Sequence, residues 1–275
     1  MGDFSENFGA NFNQNFSQSF NADSMPFLEA MIKSQEEILP FDLLGRSLSY
    51  NPYPPRFREI FPTLSLSKSP EKSPTKSLID LKKSSKNNPE NNTKQMPKTL
   101  RVQAFSFVDL AHLQSQNAKI IVLDIARDSR ANPRAEGLEC ISYLRHYTDA
   151  LIIVQDCFIC LYQILQALVY GADALLFSHL SPKGKLKELI DFASHLGLVS
   201  LLESTSLREI KEGIFAKADG VYLPKDCVEL VKYIPKRKII CIDAKASAES
   251  TNRVDFVLED FALWDLRYKR ILSFF

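Results

Sequence analysis

The sequence predicts an α/β fold, a parallel sheet covered by helices, on three observations. Short β-branched runs alternate with amphipathic helical runs from Leu100 to Phe275. The strand segments are nearly all apolar, as expected when both faces of the sheet are buried. No Gly-rich phosphate loop opens any helix, which weighs against a dinucleotide-binding sheet. Periodicity alone leaves both a closed barrel and an open doubly wound sheet.

The elements follow in order. Lys119 to Ile125 reads as a strand, then a helix from Gly137 to Tyr147. Ala150 to Gln155 is a strand before the helix Leu161 to Tyr170, and Asp173 to Phe177 a strand before the helix Leu186 to Leu196. Leu198 to Glu203 precedes the helix Ser206 to Ala216, and Gly220 to Leu223 precedes a short helix from Val228 to Tyr233. Lys238 to Ile242 and Val254 to Leu258 are the last strands, and Phe261 to Leu272 the last helix. These are seven strands, so a barrel lacks one βα unit unless Leu100 to Val108 fills the gap. That segment alternates, but a helix from Phe107 towards His112 competes with the strand reading.

The chain divides into four regions. Residues 1–24 form a tail rich in Asn, Ser, Gln and Phe, with Phe4, Phe8, Phe12, Phe16 and Phe20 at every fourth position. On a helix they would form a slanting stripe, but the intervening residues are poor helix formers, which favours a disordered tail. Five regularly spaced aromatic groups suit weak multivalent contacts with an unidentified protein partner. Residues 25–62 hold a helix with a roughly helical apolar pattern of Phe27, Leu28, Met31, Ile32, Ile38 and Leu39, started near Asp23 or Ser24 and ended by Pro40. The proline-rich stretch from Tyr50 to Arg56 is extended. Residues 63–99 are a basic, low-complexity insertion that cannot bury enough apolar surface to order itself. Residues 100–275 are the folded domain.

Composition excludes several functions. The formal net charge is +1, from 34 basic and 33 acidic residues, which gives no reason to expect nucleic acid. The start lacks a basic and apolar export signal, and no apolar run reaches the roughly 20 residues that span a bilayer. Five cysteines, an odd number, fit a reduced cytoplasmic setting. Cys157 and Cys160 have CxxC spacing, but without a second pair or nearby histidines a zinc site is not supported, and no metal or cofactor is expected. The scattered His112, His146, His179 and His195 read as surface or helix-end residues.

Several stretches together resemble the indole-3-glycerol-phosphate synthase family. Val154-Gln-Asp-Cys-Phe-Ile-Cys-Leu-Tyr-Gln-Ile164 and Gly171-Ala-Asp-Ala-Leu-Leu-Phe177 are similar to its Lys-Asp-Phe-Ile-x-x-x-Tyr-Gln and Gly-Ala-Asp-Ala-x-Leu-Leu. Leu196-Gly-Leu-Val-Ser-Leu-Leu-Glu203 resembles Leu-Gly-Leu-x-x-Leu-Val-Glu, and Phe27 to Glu37 the family's extra N-terminal helix. Lys119 to Ser129 is set against Ile-Ala-Glu-Ile-Lys-x-Ala-Ser-Pro-Ser, the first strand. The resemblance covers roughly Met25 to Asp226 and implies a TIM-type (β/α) barrel, a decarboxylating, ring-closing lyase of tryptophan biosynthesis, and a phosphorylated small-molecule ligand.

The departures bear on the chemistry. The family's lysines on the first strand and in Lys-Asp-Phe serve as general acid and as charge for the substrate carboxylate. Their positions fall on Ala126 and Gln155, neither of which can donate a proton near neutral pH. The two catalytic glutamates fall on Asp124 and Glu203, and the phosphate-contacting serine of the first loop on Ser129. The phosphate-binding Gly-Ser of the last strand becomes Glu259-Asp260, two carboxylates that would repel the ligand. Glu203, Asp124 and Asp156 are expected to line one strand-end face, where solvation or a basic ligand would meet them. The sequence therefore points to a family member without carboxy-lyase activity, a pseudoenzyme acting as a binding or scaffold protein. The rival is a divergent active synthase.

Overall fold

The computed structural model describes residues 25–60, 96–103, 110, 113–125, 134–244 and 253–260. Eight parallel strands close in sequence order into a barrel: β1 Lys98–Gln103, β2 Ile120–Asp124, β3 Leu151–Asp156, β4 Ala174–Phe177, β5 Val199–Glu203, β6 Gly220–Leu223, β7 Ile239–Asp243 and β8 Phe256–Asp260. β1 pairs with both β2 and β8, which completes the ring. The architecture is a TIM-type (β/α) barrel.

The count of seven strands is corrected to eight, with β1 filling the gap at the start of the segment from Leu100. The alternation of that segment is a strand's, and the competing helix from Phe107 is what left it open. A second correction follows: Lys119 to Ile125 contains the second strand, so Asp124 ends β2 and not the first strand. The proposed helix from Phe107 lies largely outside the described residues. The Phe-rich tail, Ala126, Ser129, nearly all of the basic insertion and the helix from Phe261 also lie outside them.

Strand residues alternate between two cores. Ile120, Val122, Leu151, Ile153, Leu176, Val199, Leu201, Tyr222, Cys241, Phe256 and Leu258 form the barrel interior. Leu100, Val102, Ile121, Leu123, Ile152, Val154, Leu175 and Leu202 face outward under the helices. Those helices include α4 Arg134–Tyr147, α5 Leu161–Tyr170, α6 Leu186–His195 and α7 Leu207–Phe215. Ser206 caps α7, its Oγ accepting the Glu209 amide at 3.3 Å. Gln163 holds the start of α5, its Oε1 accepting the amides of Ile159 at 2.7 Å and Cys160 at 3.3 Å. Gly171 ends α5 at φ 107°, a left-handed conformation that glycine adopts without strain. The segment from Val228 to Tyr233 is part of a 3-10 helix, Lys225–Tyr233.

The N-terminal segment serves the barrel directly. α1 Met25–Ile38 and α2 Phe41–Ser47 pack Leu28, Ile32 and Leu44 against Tyr162 and Leu165 of α5. The Tyr162 hydroxyl lies 2.9 Å from the Leu39 carbonyl and 3.1 Å from that of Gln35. The proline-rich stretch then crosses the N-terminal end of the barrel. There the short helix α3 Phe57–Ile60 inserts Phe57, fully buried, among the lowest interior residues.

Three aspartates bind the same end together. Each stands just before an even-numbered strand and accepts the amide of an early residue on the preceding strand. Asp173 takes Ile152 at 2.9 Å, Asp219 takes Ser200 at 3.0 Å and Asp255 takes Ile240 at 3.0 Å. Two of them also hold the crossing segment. Arg56 and Arg145 both bond to Asp173, whose side chain is wholly buried, and Arg58 bonds to Asp219.

Candidate functional site

Period-two alternation brings the last inward residue of several strands to the C-terminal mouth. Asp124 follows Ile120 and Val122, Gln155 follows Leu151 and Ile153, and Glu203 follows Val199 and Leu201. Asp243 follows Ile239 and Cys241, and Asp260 follows Phe256 and Leu258. Asp124 pairs with Gln155 in the strand register. The structure thus brings Asp124, Gln155 and Glu203 to one rim, and adds Asp243 and Asp260, which sequence reading had not grouped with them.

Arg101 is 6% exposed, and its Nη1 lies 3.5 Å from Asp260 Oδ1, as the β1–β8 register places the two side by side. Its guanidinium stacks over the Tyr222 ring at 5.0 Å. Burial acts to lower its pKa, but Tyr222, Asp260 and Asp124 outweigh that and raise it, so it is a permanent cation. The Tyr222 hydroxyl donates to Asp243 Oδ2 at 3.5 Å, and burial pushes the phenol's pKa up. Among the described inward strand positions Arg101 is the one full cation, and no lysine occurs there.

Glu203 is held by His179, from the loop after β4. The His179 amide donates to Glu203 Oε2 at 3.2 Å, and the ring Nδ1 lies 3.2 Å from the same oxygen. Burial works to raise the Glu203 pKa, but the bonds from His179 outweigh it and hold the carboxyl below its usual range. The bond to Glu203 in turn raises the pKa of His179. Reading the histidines as scattered surface residues missed this pair; the signal was His179 placed two residues after the end of β4.

Asp156 does not join the rim, which corrects the expectation for it. Being adjacent to Gln155 on the strand, it faces the other way. Its Oδ1 accepts the Cys157 amide at 2.8 Å and its Oδ2 accepts Gln163 Nε2 at 3.2 Å. Cys157 is buried, and that burial pushes its thiol pKa up to about 12. All five cysteines are free. No group of three metal-binding side chains occurs among the described residues. No described helix is long and apolar enough to cross a membrane.

The opposite end carries a recess of about 380 Å³ beside Tyr53, Arg56, Arg145 and His146. Its arginines are committed to Asp173 and to the carbonyls of Ala150 and Pro54, so it offers less free chemistry than the mouth.

No family model matches the chain. Curated relatives do. The chain is 31% identical over 226 residues to an indole-3-glycerol phosphate synthase of Campylobacter concisus, covering 78% of this chain and 79% of that one. It is 30% identical over 225 residues to a protein of the same name from Campylobacter jejuni, covering 78% and 80%. It is 28% identical over 232 residues to one from Sulfurimonas denitrificans, again covering 78% and 80%.

Proposed function

Because this chain belongs to the indole-3-glycerol phosphate synthase family, we propose that it is a ligand-binding member that has lost the decarboxylating ring closure. The observation that carries this reading is Gln155. It stands where the family motif has the lysine of Lys-Asp-Phe, at the inward end of β3, and is 7% exposed. An amide there neither donates a proton at neutral pH nor carries charge for the substrate carboxylate.

The corrected strand order extends the argument. Setting the family's Ile-Ala-Glu-Ile-Lys on β1 rather than β2 places Arg101 at the glutamate and Gln103 at the lysine. Arginine stays charged and is a poor proton donor. Glu259 and Asp260 stand at the phosphate-binding Gly-Ser, where their charge opposes a phosphate. Glu203 keeps the family's fifth-strand carboxylate, and Asp124 lies beside Gln155 as a further acid of the rim. Ser129 remains the candidate for a phosphate contact by resemblance. The free cysteines fit a reduced cytoplasmic setting, and the phenylalanines of residues 1–24 suit a protein partner.

A turnover assay for carbon dioxide release from 1-(2-carboxyphenylamino)-1-deoxyribulose 5-phosphate tests the reading. The expected result is no release above background and no rescue of a tryptophan auxotroph. Release at an enzymatic rate would overturn it in favour of a divergent active synthase. That second reading has one observation behind it: His179 on Glu203 is a titratable group at the mouth, able in principle to stand in for a missing lysine as proton donor.

A further inference from the structure

The N-terminal segment carries an apolar surface open to water. Phe27, Ile38, Leu39 and Leu43 are between 42% and 83% exposed. Among the described residues, the other exposed Phe, Leu or Ile side chains are Ile60 and Phe215, each alone on α3 and α7. At about 100° per residue, Phe27, Met31 and Ile38 fall within about 40° of one another around α1. That stripe runs beside Leu28 and Ile32, which are buried against α5. Leu39 follows directly, its amide bonded to the Gln35 carbonyl at 2.9 Å, and Leu43 stands four residues on in α2. One exposed apolar side chain needs no explanation, but four within one short segment mark a docking surface.

What is joined to that surface narrows the occupant. Residues 1–24 end at Met25, the first residue of α1, whose Sδ lies 3.8 Å from Cys157 Sγ, so their point of attachment is fixed on the barrel. An extended chain spans about 3.3 Å per residue, so Phe16, nine residues before Met25, reaches about 30 Å from it. Ile38 stands thirteen residues after Met25 on a helix that rises about 1.5 Å per residue, about 20 Å away. Phe16 and the phenylalanines before it therefore reach the whole stripe, and Phe20 reaches most of it. The chemistry agrees. Between Phe4 and Phe20 a phenylalanine comes at every fourth residue and Glu6 is the one charged residue, so this segment offers apolar contact and not ion pairing. Tethering sets its effective concentration in about the millimolar range, which an unlinked partner would have to exceed.

We propose that residues 1–24 dock on their own chain, their phenylalanines seated on the Phe27 to Ile38 stripe of α1 and on Leu39 and Leu43. This narrows the protein partner suited to these phenylalanines to the chain itself. It goes beyond the reading of the mouth and does not depend on whether an indole ring is closed there. An outside protein must displace the docked segment before it reaches these four side chains, so the segment screens an apolar surface from chance contacts.

The experiment is photo-crosslinking of the full chain with p-benzoylphenylalanine in place of Phe12. The expected result is a cross-link inside one chain, mapped by mass spectrometry to residues 27–43. Ile38→Asp together with Leu43→Asp should cut its yield about fivefold or more, because a docked phenylalanine would then bury a charge. Both side chains already stand largely in water, so the fold should survive, and the mapped site tests the proposal by itself if it does not. Phe215→Asp, at an exposed apolar residue elsewhere, should leave the yield unchanged. The proposal is overturned if the cross-links spread over the barrel, if they join two chains, if none forms, or if the folded double variant keeps its yield.

Discussion

The two ends of the barrel use the same residue types in opposite ways. At the N-terminal end each aspartate is consumed by structure. Asp173 alone accepts from Arg56, Arg145 and the Ile152 amide, and its side chain is wholly buried. At the C-terminal end, among the described residues, four acids end strands near Arg101, whose Nε and Nη2 have no hydrogen-bond partner, and Gln155 Oε1 has none either. The difference matches what the barrel architecture permits. In barrel enzymes the ends where strands begin serve stability, while the sites sit at the ends where they finish. The lesson is that a carboxylate in a barrel is read by the end it stands on, and strand parity and direction decide that.

The largest expected effect lies at the sealed end. Asp173→Ala would leave Arg145, with 3% of its side chain exposed, facing no carboxylate, together with a bare Ile152 amide. Breaking a buried pair in this way costs roughly 3–5 kcal/mol. Chemical denaturation should show that loss with the slope preserved, and a loss below 1 kcal/mol, on the order of a surface pair, would remove the claim that this end carries the stability. A smaller effect is expected next to it at Gly171. Its φ of 107° suits glycine, and an added Cβ would meet Arg145 Cγ at 3.0 Å. Gly171→Ala should therefore cost about 1–2 kcal/mol by the same measurement. An unchanged midpoint would mean that the turn relaxes without disturbing the arginine.

Legibility in the sequence followed the same division. The strands from β2 to β8 and the helices between them were visible because their residues are almost uniformly apolar or strongly amphipathic. β1 was obscured because a helical reading from Phe107 competed with its alternation. That ambiguity shifted the strand count, and with it Asp124 was assigned to the wrong strand. The Tyr-Gln and Gly-Ala-Asp-Ala motifs were legible as resemblance, and the structure shows them to be scaffold: Tyr162 docks α1, Gln163 caps α5 and Asp173 anchors the N-terminal segment. Gln155 was singled out because it stands just before the Tyr-Gln motif, and Glu203 because it ends the Leu-Gly-Leu stretch. His179 and Asp243 were not, since nothing local marks them and only ring closure brings them to the rim. Asp260 was legible only as a departure from the phosphate motif.

At the mouth a substitution should leave stability nearly untouched, which is the sharper half of the comparison. Gln155→Leu removes a buried oxygen that has no donor and keeps the volume about the same. Trading such an amide for an apolar group should change stability by no more than about 1 kcal/mol in either direction. A drop of several kcal/mol in denaturation would mean that Gln155 is part of the scaffold like Asp173, and the contrast between the two ends would fail there.

The smallest expected effect is a pH dependence at His179 and Glu203. The histidine pKa is raised from 6.5 by its bond to Glu203, so its contribution to stability is complete below 6.5 and lost as pH rises through the higher folded value. The glutamate pKa is lowered from 4.5 in spite of its burial, so its contribution is complete above 4.5 and lost as pH falls through the lower folded value. The pair therefore contributes in full between 4.5 and 6.5. Its size should be modest, because the His179 side chain is 43% exposed and salt screens it. An NMR titration of His179 should show its midpoint fall in Glu203→Gln, and a midpoint that stays put would dissolve the pair as an electrostatic unit. That softness is itself part of the contrast with the buried Asp173 cluster: a half-exposed imidazole can release its carboxylate to an arriving ligand, and a sealed arginine cannot.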